Sequence, residues 1–313
     1  MPAPGDTDSK SRQTPSRQPS QQDPPKSGNI FSRLATVPRP IKVLFDKFPL
    51  VTYPACDLPS RAPRDRDQHA LYVFSTEYGA LDGAASFNPA CLKWQAYLKF
   101  NGVPFYTVAS SNHASPSGAL PFLLPAGAHN TIYDQPKPVP SGKLQKWVEE
   151  NSASAVEEPD DVRFEAYVSL IDRSIRRAWL YTLYLTPNFD SIAHPLYIES
   201  TSINAFVRAS IAHDLRLAAE RELLKHGAVI DAEAIYTEAE DAFRALETVL
   251  GADQWFFGAR RPGLVDAAVF AYTHLLLLQD LGTGWKESRL GNAVRARQKL
   301  VRHQERIFEA FFN

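Results

Sequence analysis

The sequence predicts an α+β/α architecture, a small mixed α/β unit followed by an all-helical domain. Three observations carry that reading. Between residues 67 and 150, short β-branched and aromatic runs alternate with one well-marked helix. From residue 157 to residue 313, apolar residues recur at helical spacing with few interruptions. At 313 residues, 44% of them apolar, the chain is long enough for roughly two domains and rich enough for a sizeable core.

The elements follow in order. HALYVFS, from His69 to Ser75, has the character of a buried strand. NPACLKWQAYLKFN, from Asn88 to Asn101, reads as a helix: Asn88 suits the cap, Pro89 the first turn, and Gly102 the stop. VPFYTVAS (Val103 to Ser110) is a second strand, LPFLL (Leu120 to Leu124) a third, and Thr131 to Tyr133 is expected as a fourth. Ser141 is expected to cap a helix through Val148. In the helical half, Phe164, Val168, Ile171, Ile175 and Trp179 form one apolar stripe between Val162 and Leu185. Ser202 to His226 ends at Gly227, an expected C-cap. Asp231 to Leu250 opens on an Asp cap with Ile230 and Ile235 placed for a staple. Gly263 to Leu281 is apolar but too short to cross a bilayer, which takes about 20 residues, so it is expected as a core helix. A last amphipathic helix is expected from about Asn292 to Phe312.

Strand, helix, three strands and helix is the order of a thioredoxin-like domain, and the helical half completes a glutathione-transferase-like fold. Thioredoxin-like domains place a cis-proline just before the third strand, where Leu120-Pro121 stands. An ordinary trans-proline at a strand start is the alternative.

Residues 1–37 are expected to be a disordered tail rich in Pro, Ser and Gln, with acids mixed among bases. That composition matches neither a secretory signal nor a mitochondrial presequence. Residues 38–66 form an apolar extension bearing Phe45, Phe48 and Tyr53, placed either to strap onto the chain's own domain or to dock on a partner. A net charge of −1 argues against reliance on bulk attraction to nucleic acid. Cys56 and Cys91 form no metal pattern and suit a reducing compartment.

The helix start at Asn88 is where thioredoxin-like enzymes carry a nucleophile, because the helix dipole and free N–H groups lower a thiol's pKa there. Asn88-Pro89-Ala90-Cys91 places an amide in that position, and an amide cannot be deprotonated to attack. Cys91, one turn in, reads as a buried structural thiol. Glutathione-binding members place an acid and a serine at the next helix start; Pro140-Ser141-Gly142 keeps the serine and loses the acid. No zinc-type His pair, P-loop or nucleophile elbow is present. No catalytic residue, cofactor or metal is therefore expected. One rival reading is a glutathione-dependent transferase or thiol reductase using Cys91; a second is a soluble scaffold of the kind found in translation complexes, where transferase-like domains pair through helices.

FNPACLKWQAYLKFNGVPF (Phe87 to Phe105), YVSLIDRSIRRAWLYTLYL (Tyr167 to Leu185), FFGARRPGLVDAAVFAYTHLLL (Phe256 to Leu277) and LVRHQERIFEAFF (Leu300 to Phe312) resemble metaxins. Within that family the chain looks most like the small fungal receptor subunit of the mitochondrial sorting and assembly machinery, and FPLVTYP (Phe48 to Pro54) supports the fungal subgroup. The resemblance implies a peripheral protein on the cytosolic face of the mitochondrial outer membrane. Its implied partners are a β-barrel assembly subunit, a second metaxin-like subunit and β-barrel precursor proteins, with membrane contact through the partners. One departure is Gly263, where transferase-fold proteins usually carry a capping Ser or Thr before the helix Asp, here Asp266. Two basic features are candidates for partner or headgroup contact. Arg173, Arg176 and Arg177 lie opposite an apolar stripe, and residues 286–312 hold seven basic residues against three acidic ones. The alternative for both is a solvated helix face.

Overall fold

Ala70, Leu71 and Val73 are buried in the first strand, β1 (His69–Val73), which lies inside a sheet rather than at its rim. It pairs in parallel with β2 (Phe105–Ala109), His69 opposite Phe105, and antiparallel with β3 (Phe122–Leu124), Tyr72 opposite Phe122. β4 (Val139–Pro140) completes the order β2-β1-β3-β4 by pairing with β3. Pro140 has no N–H to donate, which an edge strand tolerates. The computed structural model describes residues 68–127, 137–159 and 162–313. The strand expected at Thr131 to Tyr133 lies outside the described residues. The peptide bond between Leu120 and Pro121 is cis.

A short helix, α1 (Glu77–Leu81), escapes the periodicity argument because it spans barely one turn. Thr76 caps it, its Oγ1 accepting from the Gly79 N–H at 3.0 Å. Thr107 ties it to β2 by donating to the Ala80 carbonyl at 2.6 Å. α2 (Pro89–Phe100) matches its expected start and stop, and Gly102 at φ +64° turns the chain out of it. Cys91, Leu92, Trp94, Tyr97 and Leu98 are all buried, so α2 is covered on nearly every side. Asn101 then stitches down the connection that follows α3 (Leu144–Asn151): its Oδ1 accepts from Val156 at 2.7 Å, and Ser152 and Ser154 donate to its carbonyl.

The long stripe from Phe164 to Trp179 runs over α4 (Val162–Leu170), a π-helical turn (Ile171–Ile175) and α5 (Arg176–Tyr184). Phe164, Ile171, Ile175 and Trp179 are buried as expected and Val168 packs against them. Trp179 meets Tyr272 and Trp285, Tyr181 meets Tyr236, and Tyr184 meets Phe189, so this aromatic cluster is used in packing. A second π-helical turn (Phe189–Ala193) leads into α6 (His194–Tyr197). α7 (Ala205–Leu224) ends before the expected cap, and Gly227 is not among the glycines with positive φ. α8 (Ala232–Leu250) is capped by Asp231, which accepts from Ala234 at 3.1 Å, and Ile235 is buried. α9 (Leu264–Leu277) is buried from end to end except for its last residue and packs along α2. The expected final helix is two: α10 (Arg289–Arg295) and α11 (Gln298–Phe311). The break is at Arg297, where ψ is 84°. Its guanidinium turns inward to the carbonyls of Ala293 and Glu240.

Two backbone approaches hold this half together. Gly282 sits at φ +62°, and a Cβ there would lie 2.5 Å from the Ser191 carbonyl oxygen. The neighbouring Thr283 donates to that oxygen through its backbone N–H at 2.7 Å and its hydroxyl at 3.0 Å. The glycine-rich run here is thus a strap onto a π-helical turn.

The second approach is the start of α9. Asp266 Oδ2 accepts from the Gly263 N–H at 2.9 Å, so the acid keeps its capping role. The space of a Ser or Thr side chain at 263 is filled by Glu158: a Cβ on Gly263 would lie 2.7 Å from its Oε2. Glu158 Oε1 accepts from the Leu264 N–H at 2.9 Å. A carboxylate supplied by the connecting segment therefore does the work of the absent cap residue.

Two outcomes follow from these contacts. Gly282→Ala adds a side chain to left-handed backbone against a carbonyl, and is expected to destabilise by about 2 kcal/mol or more. The check is a lower urea midpoint at unchanged m. Burial raises the Glu158 carboxyl to about 7, with the charge of Asp266 adding to the effect and the Leu264 N–H opposing it. Its unfolded value is about 4.3. The folded state thus holds a proton that the unfolded chain releases, so stability is greatest below the unfolded value and falls as pH rises through 7. Glu158→Gln keeps an oxygen for Leu264 and removes the ionisation. Urea midpoints at about pH 5 and about pH 8 should differ less in that variant than in the parent; an unchanged difference would exclude Glu158 as the source.

Candidate functional site

The loop between α1 and α2 is fixed before α2 begins. Gln95, fully buried, accepts from the Ser86 N–H at 2.9 Å and donates to the Ala84 carbonyl at 2.8 Å. The Ser86 hydroxyl donates to the Phe74 carbonyl at 2.6 Å and accepts from the Asn88 N–H at 3.2 Å. Asn88 is thereby delivered to the N-terminus of α2. Its Oδ1 accepts from the N–H groups of Ala90 at 3.0 Å and Cys91 at 3.2 Å. Its Nδ2 donates to the Tyr197 hydroxyl at 3.2 Å, and that hydroxyl donates to the Phe87 carbonyl at 3.3 Å. The rings of Phe74 and Phe87 stand edge-on to Tyr197 at 5.1 and 5.2 Å.

This geometry closes the corner. The helix N–H groups that would stabilise a thiolate or hold an anion are spent on a neutral amide. Cys91 sits behind it, fully buried, and burial pushes its thiol up to about 12 despite hydrogen bonds to Phe74 and Ser86 that act the other way. Reactive thiols need the opposite shift and access to solvent. Burial likewise holds the Tyr197 hydroxyl well above the ordinary phenol range. No group in the corner is poised to gain or lose a proton at neutral pH.

The second corner is also changed. Pro140 is taken up in β4 and Ser141 lies in a single 3₁₀ turn (Ser141–Lys143). Contrary to expectation, the Ser141 side chain makes no capping hydrogen bond. Pro121 completes the set as the cis residue before β3. Among the described residues no group of three or more His, Cys, Asp and Glu side chains is arranged to hold a metal ion.

The candidate partner residues Phe45, Phe48 and Tyr53 lie outside the described residues. The three arginines do not share one face. Arg176 pairs with Glu222 on α7 at 3.1 Å and Arg177 with Glu238 on α8 at 2.7 Å. Arg173 is exposed and, with Arg177, His226 and Glu238, lines an open hollow of about 610 Å³. In the C-terminal basic run, Arg289 bridges Glu233 at 2.8 Å and Glu240 at 3.3 Å. Tyr197 and Glu158 are the functional neighbours that sequence reasoning missed. Tyr197 lies 109 residues from Asn88, and no spacing rule links them.

Residues 89–189 match the glutathione S-transferase N-terminal domain and residues 239–307 its C-terminal domain. Residues 35–90 match the family described as SAM35, subunit of the SAM complex. A glutathione transferase from Phanerochaete chrysosporium, GSTFuA3, superposes with a TM-score of 0.52 at 14% identity, over 79% of this chain and 98% of that one. Metaxin-3 of Xenopus laevis is 30% identical over 206 residues, 62% of this chain and 63% of that protein. Metaxin-1 of Homo sapiens is 27% identical over 197 residues, 60% of this chain and 41% of that protein. The chain thus spans less than two thirds of the length of these relatives.

Fold and corner together define a glutathione-transferase-fold protein in which an asparagine occupies the nucleophile position. The chain carries a SAM35-like segment and is similar to metaxins over 60–62% of its length.

Cys91 should behave as a core residue. In a Cys56→Ser background, a thiol reagent at about pH 8 should label Cys91 only along the denaturant unfolding transition. Rapid labelling of the native chain would show the corner to be open.

Proposed function

We propose that this chain is a non-catalytic receptor and scaffold subunit of the mitochondrial outer-membrane sorting and assembly machinery, aiding the recognition and insertion of β-barrel precursors. The observation that carries the non-catalytic part is the Asn88 amide, which occupies both the nucleophile position and the helix N–H groups a thiolate would need. The assembly role rests on the SAM35-like segment and the metaxin relatives. In this reading the partners are a β-barrel assembly subunit, a second metaxin-like subunit and the precursors. The chain is peripheral on the cytosolic face, which accords with the lack, among the described residues, of a helix long and apolar enough to cross a membrane. Phe45, Phe48, Tyr53 and Arg173 are the side chains to test for partner contact. Arg176 and Arg177 are committed to ion pairs that cross between helices.

The test is a mild-detergent pull-down of the tagged full chain from mitochondria, with partners identified by mass spectrometry. Recovery of a β-barrel assembly subunit and a second metaxin-like protein is the expected result. Soluble partners only, or retention on glutathione resin with thiol-transfer activity lost on Cys91→Ser, would overturn the reading in favour of a working enzyme.

A further inference from the structure

Ion pairs and hydrogen bonds sort the C-terminal basic run into two sets. Arg289 is neutralised by Glu233 and Glu240, Arg295 donates to Asn292, and Arg297 is turned into the interior. Lys286, Lys299, Arg302 and Arg306 make no ion pair among the described residues, and the last three lie together on α11. Their spacing of three and then four residues puts them on one face of α11. That face lines a hollow of about 330 Å³ with Gly251, Ala252 and Asp253, the turn that follows α8.

The hollow is built rather than incidental. Arg306 is held in place by donating to the Gln254 carbonyl at 2.7 Å and by lying over the Trp255 ring at 5.5 Å. Gly251, at φ +56°, turns the chain sharply beneath it. Two acids are near. Glu247 is engaged by the Lys299 backbone N–H at 3.2 Å, and Asp253 lines the hollow without pairing to any of the three cations.

We propose that this hollow binds the phosphorylated polyol headgroup of an anionic phospholipid, so that the chain touches the bilayer directly as well as through partners. The three cations take the phosphate and Asp253 accepts from the polyol hydroxyls, a division of labour that a carboxylate-bearing or choline headgroup does not match. A lipid is favoured over a soluble phosphate because Lys299, Arg302, Ala252 and Asp253 are all exposed, whereas a soluble ligand's pocket buries most of its surface. With a net charge of −1 the chain has no bulk attraction to an anionic surface, so binding must be local. The inference rests on the membrane location of the proposed function for its setting.

The experiment is vesicle flotation of the full chain with phosphatidylcholine alone, with added phosphatidylserine, and with added phosphatidylinositol. Flotation is expected with phosphatidylinositol above all. Lys299→Glu with Arg302→Glu should weaken it about tenfold or more, and Asp253→Asn should erase the preference over phosphatidylserine. Lys286→Glu with Arg295→Glu, the same charge change outside the hollow, should leave it unaltered. Circular dichroism and the urea midpoint confirm folding of each variant. Equal loss in both double variants, no flotation of the parent chain, or binding of soluble glycerophosphoinositol in the hollow without flotation would each overturn the proposal. The pull-down runs on the same variants. Complex recovery with hollow-independent flotation sinks this inference alone, and hollow-dependent flotation without the complex sinks the functional reading alone.

Discussion

The carboxylate of Asp266, 2% exposed, is the constraint around which the helical half is arranged. A charge so far from water must be met by donors, or its burial costs several kcal/mol. It is met by the N–H of Gly263, the N–H of Phe256 and the His303 ring at 2.8 Å. Those contacts lock the start of α9, the turn before it and α11 to one another. Glu158 joins the same helix start from the connection between the halves. Because α9 lies along α2, the helix that would carry the chemistry is positioned by the helix that carries the core.

From that arrangement follows what the corner at Asn88 can do. A transferase fold delivers a helix N-terminus to a cleft, and its donors await a thiolate. Here the amide of Asn88 satisfies those donors from within the chain, and Tyr197 from the helical half seals the amide. With those donors consumed, the corner is an interlock between the halves. Cys91 then contributes as a small apolar group.

Much of the fold was legible because its signals are local. Asn88, Pro89 and Gly102 bracket α2 by cap, ring and left-handed turn, and the stripe from Phe164 to Trp179 declares a buried helix face. Where expectation and structure part, a non-local contact decides. The last helix breaks at Arg297 because that side chain finds the carbonyls of Ala293 and Glu240, which no helical periodicity encodes. α1 is one turn long and is held by Thr107 from another strand. Ser141 does not cap, since the chain leaves β4 through a 3₁₀ turn.

The sequence by itself determined the class of fold and the absence of a nucleophile at position 88, because both depend on residue type at a short-range position. Only the tertiary structure decided what replaces the missing groups. Tyr197 reaches Asn88 and Glu158 reaches Leu264 across more than a hundred residues each. It also decided which cations are available, since Arg176, Arg177 and Arg289 read like Lys299 and Arg302 until their partners on other helices come into view. Charge in a chain is a property of residues, whereas free charge is a property of their neighbours in space.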